Sequence, residues 1–249
     1  VRIWNATSGE EQHVLKGYID EVYSVDFAEV NSVAIQGDTI VSGSSDKTVR
    51  IWDATSGEEQ HVLKRHSGTV SSVAIQGDTI VSGSDDKTVR IWNATSGEEQ
   101  HVLKGHSGTV NSVAIQGDTI VSGSDDKTVR IWNATSGEEQ HVLKGHSGWV
   151  NSVAIQGDTI VSQSSNETRY WNARTGEALD ADEAEASTTP ETETLANVGN
   201  GTHVKLSGGI AFTTDHAIQD TARQGSVYVI GDNSGLIHIL HVQGIEPGT

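Results

Sequence analysis

The 249-residue sequence has no cysteine, only two prolines and two phenylalanines, and few basic residues. Without cysteine there is no disulfide framework, no thiolate metal site and no cysteine nucleophile, so three classes of chemistry fall away together. Lys and Arg number 16 against 34 Asp and Glu, a formal charge of −18. Basic side chains supply the attraction to a phosphate backbone or an anionic membrane, so neither nucleic acid nor a membrane surface is an expected partner. No apolar run approaches the roughly 18 residues of a membrane span, and no charged-then-apolar leader opens the chain. The expectation is a soluble, cytoplasmic chain without membrane insertion. It opens at Val1 inside a repeat, which reads as part of a longer polypeptide or complex.

What is abundant is glycine, at 27 residues, together with Ser, Thr, Asn and Asp at short, regular intervals. Such punctuation favours many short strands. VRIW stands at 1–4, 49–52, 89–92 and 129–132, and RYW at 169–171, so the tryptophans are 48, 40, 40 and 39 residues apart. Residues 64–100 and 104–140 are the same except for Arg65 against Gly105 and Ser71 against Asn111. Within one unit TVNSVAI (109–115), TIVSGS (119–124), TVRIWN (128–133) and HVLK (141–144) are β-branched and separated by QGD, DDK and ATSGEEQ. That pattern predicts four antiparallel strands per unit. One such sheet cannot cover both its faces, so units must stack, and radial stacking closes a ring where a solenoid would extend.

The repeat pattern is a Gly-His pair, as at Gly105-His106, about two dozen residues, an Asp in a tight turn and then Trp-Asp or Trp-Asn, and in this the sequence resembles the WD-repeat family. The likeness is strong over most of residues 1–172. It implies an all-β β-propeller of four-stranded antiparallel blades. It also implies a buried hydrogen-bonded tetrad on His66, Ser82, Asp86 and Trp92, repeated on His106, Ser122, Asp126 and Trp132. Two further sets are altered: Ser42, Asp46 and Trp52 come with Tyr18 in the histidine's place, and His146, Ser162 and Trp171 come with Asn166 in the aspartate's. Those two blades are expected to be less rigid.

The pattern breaks twice. Between Tyr18 and Gln36 there are eight extra residues, and VYSVDF (22–27) echoes VNSVAI (30–35), as if one strand were written twice and one copy left as a loop. After Glu177 the expected fourth strand gives way to an acidic, Thr-rich stretch, and 178–201 reads as a flexible insertion between the repeats of 1–177 and a degenerate closing blade at 202–249. Ordinary solvated disorder is set there against calcium or partner binding by 180–193. Five blades can be counted with one third strand to spare, and rings of five to seven stay open. Val1–Trp4 or 13–16 could dock beside 236–241 to close the ring.

Recurring Ser, His and Asp invite a hydrolase reading, since acyl transfer needs a nucleophile, a base and an orienting carboxylate. Repetition in every unit, and the absence of a G-x-S-x-G elbow, favour a structural role. His61, His101 and His141 recur one blade apart and should not converge on a metal. No P-loop occurs, and Gly199-Asn200-Gly201 is an incomplete dinucleotide fingerprint, so no cofactor is expected. Asn5, Asn93, Asn133, Asn166 and Asn200 open sequons that matter only in a secreted chain.

Positions where near-identical units differ mark where solvent or a partner is met. Trp149 replaces Thr69 and Thr109, just after the His-Ser-Gly turn. Resemblance to the family places contact residues there, at Glu21 and Tyr23, Thr69 and Ser71, Thr109 and Asn111, and Trp149 and Asn151, with Arg65 adding a lone positive charge, all lining the channel mouth. Trp149 either anchors an interface or folds over a neighbouring loop. The expected function is a non-enzymatic scaffold or sensor binding a protein or peptide on the top face. A structural subunit of a large assembly is the alternative, and a hydrolase the third.

Overall fold

The computed structural model describes residues 1–5, 8–16 and 28–181, and beyond them the backbone of six strands between 196 and 241. Every described element is a strand. Blade 1 is formed by β3 (Val30–Gln36), β4 (Thr39–Ser44), β5 (Val49–Asp53) and β6 (Glu59–Leu63). Blade 2 contains β7 (Val70–Gln76), β8 (Thr79–Ser84), β9 (Thr88–Asn93) and β10 (Glu99–Lys104). Blade 3 has β11 (Val110–Gln116), β12 (Thr119–Ser124), β13 (Thr128–Asn133) and β14 (Glu139–Lys144). Blade 4 has β15 (Val150–Gln156), β16 (Thr159–Ser164), β17 (Thr168–Asn172) and a short β18 (Ala178–Leu179). Each is a four-stranded antiparallel sheet in simple sequence order.

Local chemistry explains the strands. Val, Ile and Thr make the strands β-branched, with the second strand of each of blades 1 to 3 buried on both faces, and Gly77-Asp78 and its counterparts close the first hairpin, with the glycine at φ +57 where other residues are strained. A fourth strand is not wholly replaced in blade 4, because Ala178 and Leu179 pair with Trp171 and Tyr170. The rest of the acidic stretch, apart from residues 180–181 and the pair Ala196–Asn197, lies outside the described residues, as do 17–27 with Tyr18, Glu21, Tyr23 and the echoed VYSVDF.

The core lies between blades. Val81, Val89, Ile91 and Leu103 of blade 2 cluster with Val110, Val113, Ile120 and Trp132 of blade 3, all buried. Fully burying one such aliphatic side chain contributes roughly 1.5–3 kcal/mol, so a lone blade would forfeit most of its stabilisation. The innermost strands follow one another around an axis, β3 against β7, β7 against β11 and β11 against β15. Close approach is possible because Gly43, Gly83 and Gly123 face Val70, Val110 and Val150; a side-chain carbon at Gly83 would stand 2.7 Å from Val110 Cγ1.

The same joint chemistry recurs. Val73, Val113 and Val153 donate their N–H to Ser32, Ser72 and Ser112 Oγ at 3.0–3.1 Å. Gly77, Gly117 and Gly157 donate to Gln36, Gln76 and Gln116 Oε1 at 2.7–2.9 Å. At the outer edge His61, His101 and His141 hold the carbonyls of Thr95, Thr135 and Arg174 at 2.9–3.0 Å. These histidines are thus interblade ties, and among the described residues no group of three or more His, Asp or Glu converges as a metal site would.

Before blade 1 comes a sheet of β22 (Ile218–Gln224), β23 (Val227–Asp232) and β24 (Ile237–His241), with β22 against β3 as β3 is against β7. The hairpin of β1 (Arg2–Trp4) and β2 (Glu11–Val14) adjoins it, with β1 beside β24. His13 in that hairpin reaches Thr55 O of blade 1 at 2.8 Å, as the other outer histidines do. Four complete blades and this composite sheet make a propeller of about five blades. A further small sheet contains β19 (Ala196–Asn197), β20 (His203–Lys205) and β21 (Ala211–Thr213).

Candidate functional site

Two kinds of residue set were expected to matter, the tetrads inside the blades and the differing positions on one rim. In blade 2, Trp92 Nε1 donates to Ser82 Oγ at 2.9 Å, Ser82 Oγ meets His66 Nε2 at 2.7 Å, and His66 Nδ1 meets Asp86 Oδ2 at 2.7 Å. Blade 3 repeats this with Trp132, Ser122, His106 and Asp126 at 2.9, 2.8 and 2.8 Å. One assignment of protons satisfies the whole relay: indole N–H to serine oxygen, serine O–H to Nε2, and Nδ1–H to carboxylate, with the imidazole neutral. Asp126 also accepts from Ser107 N and from Thr128 N and Oγ1. Burial alone would raise its pKa, but the hydrogen bonds from Thr128, Ser107 and His106 outweigh it and hold the carboxyl down at about 2. Burial lowers the pKa of His106, against the pull of Asp126.

As a catalytic constellation the set fails on access. Ser82, Ser122 and Ser162 are fully buried, and each hydroxyl is engaged by an indole and an imidazole. No acyl carbonyl can approach such an oxygen.

The altered sets are repaired differently. In blade 1, Trp52 donates to Ser42 at 2.8 Å, while Asp46 takes Thr48 and, at 3.2 Å, Arg50 Nη2. In blade 4, Trp171 and His146 still meet Ser162 at 2.7 Å. Asn166, expected to stand for the aspartate, is exposed and does not enter the network. Glu167 does: its Oε1 accepts from Ser147 N at 2.7 Å and lies 3.4 Å from His146 Nδ1. The cause is a turn one residue shorter, in which Ser164 N–H closes on Glu167 O where Ser44 N–H closes on Thr48 O. Hydrogen bonds from Ser147, with Arg169 alongside, lower the Glu167 pKa to about 2. His146 Nδ1 is buried without a hydrogen-bond partner.

On the rim, Thr69 and Thr109 are half-buried, and their carbonyls accept from Asp85 N and Asp125 N at 2.9 Å. Ser71 Oγ donates to Asp85 at 3.2 Å, and Asn111 Nδ2 donates to Asp125 at 2.7 Å. Trp149 is 61% exposed, and Asn151 is exposed with its amide 3.5 Å from Ser165 Oγ. These positions share one edge of the propeller. Arg65 is exposed and stands two residues beyond outer strand β6, next to His66.

The family described as "WD domain, G-beta repeat" matches residues 9–53, 57–93, 97–133 and 137–172. The chain belongs to the WD-repeat family. Among solved structures, one titled "Crystal Structure of Mitotic Checkpoint Complex" is 21% identical with a TM-score of 0.75, covering 98% of this chain and 81% of that one. The computationally designed Ika8 protein is 21% identical with a TM-score of 0.66, covering 97% and 77%. The designed Ika4 protein is 24% identical with a TM-score of 0.56, covering 63% and 98%. At such identities the likeness shows the propeller fold alone. None of the curated proteins compared matches the chain. A WD-repeat propeller is in general a scaffold for protein–protein interaction, and its repeated tetrads here are ties inside blades.

Proposed function

We propose that this WD-repeat propeller is a non-enzymatic platform that holds a protein or peptide on the rim carrying Trp149. The observation that carries this reading is the exposure of Trp149, at 61%, in a place where two near-identical blades bury a threonine by half. A large apolar side chain left in water at such a position is the commonest kind of interface anchor. Thr69, Ser71, Thr109, Asn111 and Asn151 surround the same edge and supply the polar fringe of the contact. The acidic balance of the chain, −18, disfavours nucleic acid as the partner.

The reading is tested by capture on the immobilised chain beside its Trp149→Ala variant, with equal melting temperatures required of both. Loss of the captured species in the variant supports it, and undiminished capture removes Trp149 from the interface. A second reading, a subunit within a larger assembly, is favoured by the exposed face of blade 4 on its inner strands β15 and β16, where Ser152, Ala154 and Gln163 meet solvent while Ser72 of blade 2 is buried. Solution mass separates the two, since a stable monomer at dilute concentration does not need a neighbour to complete it.

A further inference from the structure

Blades 2 and 3 seal their rim with a backbone bond, from Asp85 N to Thr69 O and from Asp125 N to Thr109 O, each at 2.9 Å. The matching pair in blade 4 would be Ser165 N and Trp149 O. There the shorter turn closes on itself through Ser164 N and Glu167 O, and the seal is absent. The gap is visible at the glycine beneath the loop. A side-chain carbon at Gly68 or Gly108 would stand 2.7 Å from the Asp86 or Asp126 N, whereas at Gly148 the nearest atom is Ser164 Cβ at 3.8 Å. Side-chain sealing weakens as well, from 2.7 Å between Asn111 and Asp125 to 3.5 Å between Asn151 and Ser165. What holds the Trp149 loop to the turn is Glu167, through Ser147 N at 2.7 Å and Ser147 Oγ at 3.1 Å.

Blade 4 therefore presents an unpaired carbonyl at Trp149, an unpaired N–H at Ser165 and an exposed indole on one opened edge. Beside them is a carboxylate, because Asn111 Nδ2 joins Asp125 Oδ1 at 2.7 Å to Val150 O at 3.0 Å. We propose that this opened rim binds an extended basic peptide segment, whose main chain bonds the Trp149 carbonyl and Ser165 N–H while an apolar side chain lies on the indole and a cationic one faces Asp125. An extended peptide supplies main-chain donors and acceptors together, and the net charge of −18 favours a basic partner. The inference rests on the reading of the rim as a binding face and names its ligand.

The test is calorimetric titration of the full chain with acetyl-Gly-Arg-Leu-Arg-Leu-Gly-amide and with its counterpart carrying Glu for Arg. Three proteins are compared: the chain itself, Trp149→Thr, and a chain in which residues 162–168 are replaced by the sequence of 122–129, which restores the longer turn and leaves Trp149 in place. The grafted turn folds in blades 2 and 3 of the same chain, and melting curves confirm that each variant is intact. The basic peptide is expected to bind the chain at least tenfold more tightly than the acidic one, and to lose at least tenfold on each variant. Unchanged affinity on the turn graft, with loss on Trp149→Thr, overturns the opened-edge mechanism while sparing Trp149 as an anchor. No loss on Trp149→Thr sinks the rim reading itself, and equal or absent binding of the two peptides overturns the basic partner.

Discussion

Asn111 reaches across the joint between blades 3 and 4, its Nδ2 standing 3.0 Å from the carbonyl oxygen of Val150. Asn31 does the same to Val70 O at 3.1 Å. At the joint between blades 2 and 3 the equivalent residue is Ser71, whose hydroxyl ends on Asp85 of its own blade. Ser71→Asn is expected to supply the missing clasp onto Val110 and stabilise the chain by about 0.5–1.5 kcal/mol, the usual net value of one such bond. Thermal melting checks this, and an unchanged or lower Tm would mean that the joint has no room for the amide.

Gly83 marks the closest approach of the same two blades. Gly83→Ala would place a methyl group 2.7 Å from Val110 Cγ1, and the joint must open to admit it. A loss of about 1–3 kcal/mol is expected, as for other overpacked cores. A denaturant midpoint equal to that of the parent chain would show that the joint yields freely.

Much of this organisation is legible in the sequence. The forty-residue period sets the blades, β-branched runs set the strands to within a residue or two, and the His, Ser, Asp and Trp of blades 2 and 3 are brought together as the resemblance to the WD-repeat family implies. Glu167 was hidden because a single deletion in the turn exchanges it for Asn166, and no periodic pattern shows which residue of a shortened turn will point inward. The outer histidines were legible as a repeat but not as ties, since each finds its carbonyl 33 or 34 residues on, across a joint whose geometry only the folded ring defines. Ala178–Leu179 is too short a strand to register against an acidic background.

Acid should weaken the tetrads in a defined direction. The pKa of His106 is lowered below its ordinary 6.5 and that of Asp126 to about 2. A group with a depressed folded pKa stabilises fully above its unfolded pKa and loses that contribution as pH falls toward the folded one. His106 therefore begins to lose its contribution below pH 6.5, and Asp126 below 3.8, down to about 2. Protonation of surface carboxylates acts on the same melting curve, so the useful measurement is the Tm difference between the chain and His106→Gln. It is expected to shrink from pH 7 to pH 4; a difference that grows over that range would contradict the neutral relay.

Trp92 is 1% exposed and fills the joint with blade 1, among Val41, Val49 and Ile51. Trp92→Ala is expected to cost about 3–5 kcal/mol, in line with other large buried aromatics. Chemical denaturation would register this as a shift of midpoint, and a near-neutral result would deny the indole its place in the core.

The most direct test of the division between inner ties and outer rim compares Ser82→Ala with Trp149→Ala for both melting temperature and capture of the basic peptide. Ser82→Ala leaves a buried indole N–H and an imidazole nitrogen unpaired, at about 1–3 kcal/mol for each such group, so its Tm should fall by several degrees while the folded protein still captures peptide. Trp149→Ala should melt with the parent chain and capture little. The reverse pattern, with Ser82→Ala as stable as the parent and Trp149→Ala unfolding early, would contradict the account.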